Sequence, residues 1–515
     1  MLPSELNNVK ELVDRFKRAK DRRNSSWWSH MQEAYEYAAP QRETFFEYVP
    51  GQEKNTDLFD DTAINGLQTF ANRMQKAIVP PWQQWSLMVP GAEVENEDAE
   101  VKYRGKQMPL SEALKEVNDL VFDYIHRSNF SSRAYESFID LGISTGTLTC
   151  EYNKDRDELL FNAVPLPQLF LSSGPNGEVS DHWREHDVEL GLLLRMWPDA
   201  QLDDKTKQDI AKKPGSKVGV IEGAIYHEGE YYYVVILAKS KKIIFSQDEG
   251  EVGPFISFRG MVVPGEVYGR GPIMQVLTSI KTLNVINEFE LTSAALAASG
   301  AWTGRDDGIF DPYNIQVIPG MIIPVSTNET GNPTIAALPM NFDHRADQVL
   351  AEKLEKNINR ALFAEPLGSI DDPTKTLGEI QIRYQMHLED AGAFFARLQT
   401  ELVERVMKRV VYVLQKEGVI PPLVLDGKDV KIKHTSPIAR VMDTEDIQNL
   451  QTAIQATSML GEEAVMATYN IEKVGPYIAK KQGIDPELLY TDAERAQMKE
   501  QMAQAAQAMA EQEGG

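Results

Sequence analysis

Val267-Tyr268-Gly269-Arg270-Gly271-Pro272, the unbroken run from Ile273 to Ser299, and the closing Gly300-Ala301-Trp302-Thr303-Gly304 form the stretch that decides how the chain is read. The spacing predicts one long helix with glycine-hinged ends. Pro272 suits a first helical turn, where its missing N–H removes no bond, and Gly300 suits a helix end. Ile273, Val276, Leu277, Ile280 and Leu283 recur as one apolar stripe, which Asn284 and Asn287 interrupt before the small residues Ala294, Ala295, Ala297 and Ala298. At about 1.5 Å of rise per residue the helix is roughly 40 Å long, enough for a wall or a strut.

The chain has 515 residues, 42% of them hydrophobic and 25% charged, a composition that supports a sizeable core and more than one domain. Cys150 is the single cysteine, so an intrachain disulfide and a Cys-rich metal site are excluded and a reducing cytoplasm is expected. The first residues lack a signal pattern, and no apolar run is long enough for a membrane span, so neither export nor a membrane anchor is expected. Asp and Glu number 77 against 53 Lys and Arg, a formal charge of −24. This argues against generic binding to a phosphate backbone, which requires a positive surface.

Outward from the opening stretch, Ser4 to Ala39 reads as helix and carries the most basic window of the chain, Arg15 to Arg23, whose plain reading is a solvated helix face. Asp57 to Met74, Ser111 to Ser128 and Ser131 to Leu141 read as further helices. Residues 161–258 are β-rich, interrupted by a Lys-rich segment, Lys205 to Lys217, that reads as a solvated loop. After the long helix, Trp302 to Met340 is punctuated by Gly and Pro, with β-like Ile315 to Ile318 and Met321 to Ile323. Asp343 to Phe363 returns as helix, and prolines and a glycine make Ala364 to Lys375 a loop. Thr376 to Lys416 is the longest helical text, opened by a Thr376-x-x-Glu379 capping box. The tail from Asp492 reads equally as a helix that orders against its own copies or as a disordered segment.

The search for chemistry is negative. There is no phosphate loop, H-E-x-x-H, EF-hand loop or Cys/His cluster, so no cofactor, metal or catalytic constellation is expected. Gly142-Ile143-Ser144-Thr145-Gly146 matches the G-x-S-x-G nucleophile elbow. Its context reads helix, turn, strand, the reverse of an elbow. His182 and His186, four apart among Asp181, Glu185 and Asp187, read as surface histidines of a polar loop in preference to metal ligands. Two rival readings stay open: a serine hydrolase using Ser144, and a nucleic-acid-binding module centred on Arg15 to Arg23.

Several motifs in fixed order carry a resemblance. Leu67-x-x-x-x-Asn72-Arg73-Met74 runs into Pro80-Pro81-x-x-x-Trp85; Tyr268-Gly269-Arg270 precedes the long helix; Thr376-x-x-Glu379-Ile380-x-x-Arg383 and Ser436-Pro437-Ile438-Ala439-Arg440 follow. Together they resemble the head-to-tail connecting (portal) proteins of short-tailed, podovirus-type phages. The resemblance implies an α+β, mainly helical portal fold with wing, stem helices, clip and crown, assembled as a ring, usually of twelve subunits. It divides the chain into a wing (1–266), a first stem helix (267–300), a clip (301–340), a second stem helix (341–363), a tunnel loop (364–375), a long kinked helix (376–417), and a crown with C-terminal tail (418–515).

The function it implies is not enzymatic: a channel at a capsid vertex for packaging and ejection of double-stranded DNA, bound without sequence preference. The implied partners are major capsid and scaffolding proteins, the terminase large subunit and a tail adaptor. The implied location is the virion, after assembly in the host cytoplasm. Glu365, Pro366, Leu367, Gly368, Ser369, Ile370, Asp371, Asp372 and Lys375 become tunnel-loop candidates for DNA contact. Lys281, Asn284, Asn287, Glu288 and Glu290 become candidates for a lumen face, and Trp302, Arg305, Asp306, Asp307 and Tyr313 for terminase and adaptor docking.

Overall fold

The computed structural model describes residues 3–42, 58–90, 100–299, 302–304, 335–337, 344–365, 392–421 and 430–435, with shorter stretches between 447 and 490. Residues 366–375, the docking candidates Arg305, Asp306, Asp307 and Tyr313, the expected strands at 315–323 and the tail from 492 lie outside them.

The front of the chain forms α1 (Val9–Ser26) and α2 (Trp28–Ala38), two helices broken at Trp27 where one was expected, followed by α3 (Thr62–Ile78). Strand β1 (Ser86–Pro90), the hairpin β2 (Glu100–Tyr103) and β3 (Lys106–Pro109), and helices α4 (Leu110–Arg127) and α5 (Phe130–Ile143) come next. Then follow β4 (Thr145–Asn153), β5 (Glu158–Ala163), β6 (Leu169–Ser173), β7 (Val179–Glu189), the short α6 (Leu193–Met196), α7 (Asp204–Lys212), β8 (Lys217–His227), β9 (Glu230–Leu237), β10 (Lys242–Asp248) and β11 (Phe255–Arg259). The long helix α8 spans Pro272–Ser299, and the hairpin partners β12 (Trp302–Gly304) and β13 (Ile335–Ala337) precede α9 (His344–Ala361). Beyond lie α10 (Gly392–Leu398), a π-helical turn at Gln399–Glu404, α11 (Arg405–Lys416), β14 (Val430–His434), which pairs with β1, and α12 (Glu462–Thr468).

An antiparallel meander in the order β10-β9-β8-β7-β6 is the largest sheet. Successive side chains of its central strands point to opposite faces, and both faces are buried along the middle of β8 and β9. Val220, Ala224, Tyr233, Val235 and Leu237 join the main core on one face, while Ile221, Ile225, Val234 and Ile236 meet Leu12, Val13 and Phe16 of α1 on the other. Arg23 clamps that second layer: its guanidinium donates to the carbonyls of Leu166 (3.3 Å), Pro167 (2.6 Å) and Leu169 (3.0 Å) and lies 3.9 Å from the centre of the Phe170 ring. Burial lowers its pKa to about 10. The most basic window therefore spends one of its cations on packing.

Two expectations fail in this region. The Lys-rich segment contains a helix, α7, whose first turn is capped by the Asp203 carboxylate accepting from the Thr206 N–H at 3.0 Å; its exposed polar faces hid the periodicity. His182 and His186 lie on strand β7, not in a polar loop. His182 is 1% exposed and stacks on Phe255 with ring centroids 6.1 Å apart, and His186 Nε2 is 3.0 Å from Glu222 Oε1. The charges flanking them misled the reading: alternation places Trp183, Glu185 and Asp187 on one side of the strand and His182, Arg184 and His186 on the other.

Neither ring nitrogen of His182 has a hydrogen-bond partner. Burial, reinforced by Arg405 and Arg259, pushes its pKa down to about 3. A histidine held neutral in the fold but free to protonate when unfolded costs stability as pH falls from about 6.5 towards 3, by about 1.4 kcal/mol per pH unit. His182→Phe, which keeps a ring beside Phe255, is therefore expected to flatten the acid limb of the stability curve between pH 6 and 4. Urea midpoints measured across that range test this, and an unchanged slope refutes it.

Candidate functional site

The entrance of α8 is built from two glycine turns pressed together. Ser144 follows α5 and is fully buried; its hydroxyl donates to the Gly269 carbonyl at 2.7 Å. In return the Gly269 N–H donates to Thr145 Oγ1 at 3.0 Å, and the Gly271 N–H donates to the Ile143 carbonyl at 2.9 Å. The backbones run so close that a Cβ on Gly271 would sit 2.3 Å from the Gly142 oxygen, and one on Gly269 would sit 2.7 Å from the Ser144 oxygen. Only glycine permits that approach. The Gly142 to Gly146 motif is thus a packing element. Its serine is enclosed and already donating, so the elbow reading of Ser144 fails.

Three more ties fix the same entrance. Tyr268 is buried, its hydroxyl accepting from the Leu171 N–H at 3.0 Å, and burial pushes its phenol up to about 12. Arg259 donates to the Val267 carbonyl at 2.9 Å and to Glu401 Oε1 at 2.7 Å, which joins β11, the entrance and the π-helical turn. A second buried pair, Arg409 with Glu249 at 2.6 Å, fastens α11 behind β4, where Arg409 also donates to the Cys150 carbonyl. Removing one member of such a pair strands a buried charge and typically costs about 3 to 5 kcal/mol.

Along α8 the stripe Ile273, Leu277, Ile280 and Leu283 is buried as expected. The polar residues after it behave differently from the lumen face they were assigned. Asn284 is 6% exposed and its Oδ1 accepts from the Phe59 N–H at 2.7 Å, so it does not lie on an open face. Asn287 donates to the Phe59 carbonyl and to Asp60 Oδ1, each at 3.3 Å, and Lys281 pairs with Glu33 of α2. All three are engaged inside the subunit: the two asparagines satisfy backbone groups of the segment before α3, and the lysine meets a carboxylate of α2. Glu288 is exposed and Glu290 half-buried. Past Asn287 one side of the helix is open: Phe289 is 65% and Leu291 58% exposed. On α9, which packs along α8, Val349 and Leu350 are also exposed, while Ile358 and Leu362 are buried.

The root of the 366–375 segment is held firmly. After α9, Ala364 N–H donates to the Asn359 carbonyl at 2.7 Å and Phe363 N–H to the Arg360 carbonyl at 3.1 Å, the bond pair of a Schellman cap. Phe363 takes the left-handed position (φ 50°) that favours glycine, and its ring stacks on Phe70 and contacts Phe394. Arg73 donates to the carbonyls of Phe363 and Glu365. Arg73, Arg259 and Arg409 were not singled out as tethers from sequence. The available signal is a lone cation inside an apolar run, as in Phe255-Ile256-Ser257-Phe258-Arg259. Among the described residues no group of three or more His, Cys, Asp or Glu side chains converges as a metal site, and no helix is long and apolar enough to cross a membrane.

The family model described as "Bacteriophage head to tail connecting protein" matches residues 9–489. The chain belongs to this family of structural portal proteins of the phage virion. No curated protein matches. Among solved structures, the neck of an empty GTA particle is similar at 12% identity and a TM-score of 0.36, covering 83% of this chain and 91% of that one. The virion of a native gene transfer agent particle is similar at 13% identity and a TM-score of 0.36, covering 81% and 93%. At these scores the likeness adds nothing to the family match.

The interlocked turns carry a graded expectation. Ser144→Ala removes the donor to a buried carbonyl and is expected to cost about 1 to 3 kcal/mol. Gly271→Ala forces two backbones apart and is expected to cost more than about 3 kcal/mol. Denaturant titration of both variants checks the order; equal, small losses would show that the turns are not in structural contact.

Proposed function

From this membership we propose that the chain is the portal subunit of a podovirus-type phage, and that copies close into a ring, usually of twelve, around a DNA channel at one capsid vertex. The observation that carries the ring is the open side of the α8–α9 pair, where Val285, Phe289 and Leu291 on α8 and Val349 and Leu350 on α9 stay exposed, while most large apolar side chains among the described residues are buried. Exposed apolar surface on two adjacent helices marks a protein contact, and copies meeting head to tail through different faces form a ring where the rotation between them closes. In this reading 267–300 and 341–363 are the stem, 301–340 the clip, 1–266 the wing, and 418–515 the crown and tail.

The loop 364–375, rooted by Arg73, then reaches toward DNA, and the net charge of −24 keeps a phosphate backbone from adhering to the wall. Trp302, Arg305, Asp306, Asp307 and Tyr313 dock the terminase large subunit and later the tail adaptor, while capsid and scaffolding proteins hold the outside. The protein performs no chemistry; its work is to position and to let pass.

Negative-stain images of the purified protein test the ring directly, and a population of monomers and dimers alone would refute it. Phe289→Asp and Val349→Asp are expected to leave the melting of the subunit unchanged while raising the concentration needed for assembly at least about tenfold, a loss of about 1.4 kcal/mol per contact. Asp371→Lys with Asp372→Lys is expected to slow DNA packaging or ejection in assembled rings. Unchanged transit would remove the loop from the channel reading.

A further inference from the structure

Where α1 bends into α2, opposite the turn that leads into α8, lies a cleft of about 290 Å3 whose polar lining is Arg22, Ser26, Trp27, His30, Glu266 and Arg270. Glu266 is the only carboxylate among these, and both of its oxygens are taken by Arg270, at 2.8 and 2.6 Å. Ser26 donates back to the Arg22 carbonyl. Among the described residues the Arg22 guanidinium makes no hydrogen bond or ion pair, and the Trp27 indole N–H makes none either. The cleft therefore presents two donors without a protein partner, the exposed Arg22 guanidinium and the Trp27 indole N–H, while its one carboxylate is engaged by Arg270. Its floor is aromatic: Trp27 lies 5.6 Å from the Tyr268 ring and 5.4 Å from the Arg270 guanidinium, centre to centre. Exposed Lys17 and Arg18 lie further along α1, with exposed Asp14 and Asp21 among them.

A donor-rich slot of this size with an aromatic floor suits a carboxylate on a short aliphatic stem. Charge complementarity says where it comes from: 77 acidic against 53 basic residues make the surface of another copy of this chain the natural counterpart. We propose that the cleft receives an Asp or Glu side chain of an adjacent copy, seated on Arg22 and the Trp27 indole N–H, so that the site is completed only by a neighbour. This rests on the ring reading above.

Carbodiimide coupling tests it in the full-length assembled protein. Arg22→Lys keeps the charge and supplies a primary amine, which carbodiimide joins to a neighbouring carboxylate as an amide with loss of water. In rings mixed from 15N-labelled and unlabelled subunits of this variant, mass-spectrometric mapping is expected to find labelled-to-unlabelled links at position 22, and none at that position in wild-type rings. Arg22→Glu is expected to raise the assembly concentration about tenfold and to weaken its dependence on sodium chloride. Rings that form normally with no link at position 22, and with unchanged salt dependence in Arg22→Glu, overturn the cleft while leaving the ring intact. Loss of duplex-DNA binding in Arg22→Glu without any link also overturns it, in favour of phosphate. If wild-type protein forms no ring, the ring reading fails and the proposal falls with it.

Discussion

The hydroxyl of Ser144 donating to the Gly269 carbonyl is the contact on which the arrangement of the subunit depends. It joins the end of the helical front to the entrance of α8, two points 125 residues apart in sequence. A single hydrogen bond contributes only about 1 kcal/mol. Its importance is geometric: it forms only if both turns are glycine-lined, because the Gly271 backbone occupies the space a side chain would need. Once the turns meet, the direction of α8 is set by backbone atoms, which have far less freedom than side chains. Arg259 extends the same junction to Glu401, so the π-helical turn at Gln399–Glu404 is referenced to the same point as α8.

This junction explains why α8 has two characters. Its first half is fixed by the glycine turns, by the buried stripe, and by Asn284 and Asn287 holding the Phe59 backbone. Its second half shows Phe289 and Leu291 to solvent on the open side of the α8–α9 pair. A helix anchored at one end and apolar at the other is a lever presented to something outside the chain. Isolated, that surface is a liability; covered by a neighbour it becomes the reason to assemble.

Much of this was legible in the sequence, and the misses have physical causes. The bounds of α8 followed from Pro272 and from the breaker-free run, because such signals are local. The reversed context of Ser144 was visible for the same reason. What stayed hidden was set by partners distant in sequence. Nothing near Asn284 announces that Phe59 will occupy it, and an exposed polar face and a buried asparagine look alike in one dimension. His182 was misplaced because charged neighbours on the opposite side of a strand imitate a loop, although Ser180, His182 and Arg184 share one face with period two. The Arg22 cleft was missed because its members come from a basic window and a turn more than two hundred residues apart.

The distribution of cations sharpens the meaning of the acidic balance. Read as a sum, −24 describes a surface that repels phosphate and also repels its own copies. Read in place, three of the arginines near or behind the α8 junction are consumed internally: Arg23 by carbonyls, Arg259 by Glu401 and Arg409 by Glu249. They stabilise the subunit and are invisible from outside. Arg22, Lys17 and Arg18 remain on the surface, gathered along one helix. If copies associate as proposed, such a localised exception lets apolar contact along α8 form against long-range repulsion. Repulsion between like-charged bodies falls off over about 8 Å at physiological salt, so a cation at a point of approach acts where the net charge is screened. In the proposed ring, Arg22 and the apolar end of α8 would then serve successive stages of one encounter, the first orienting it and the second holding it.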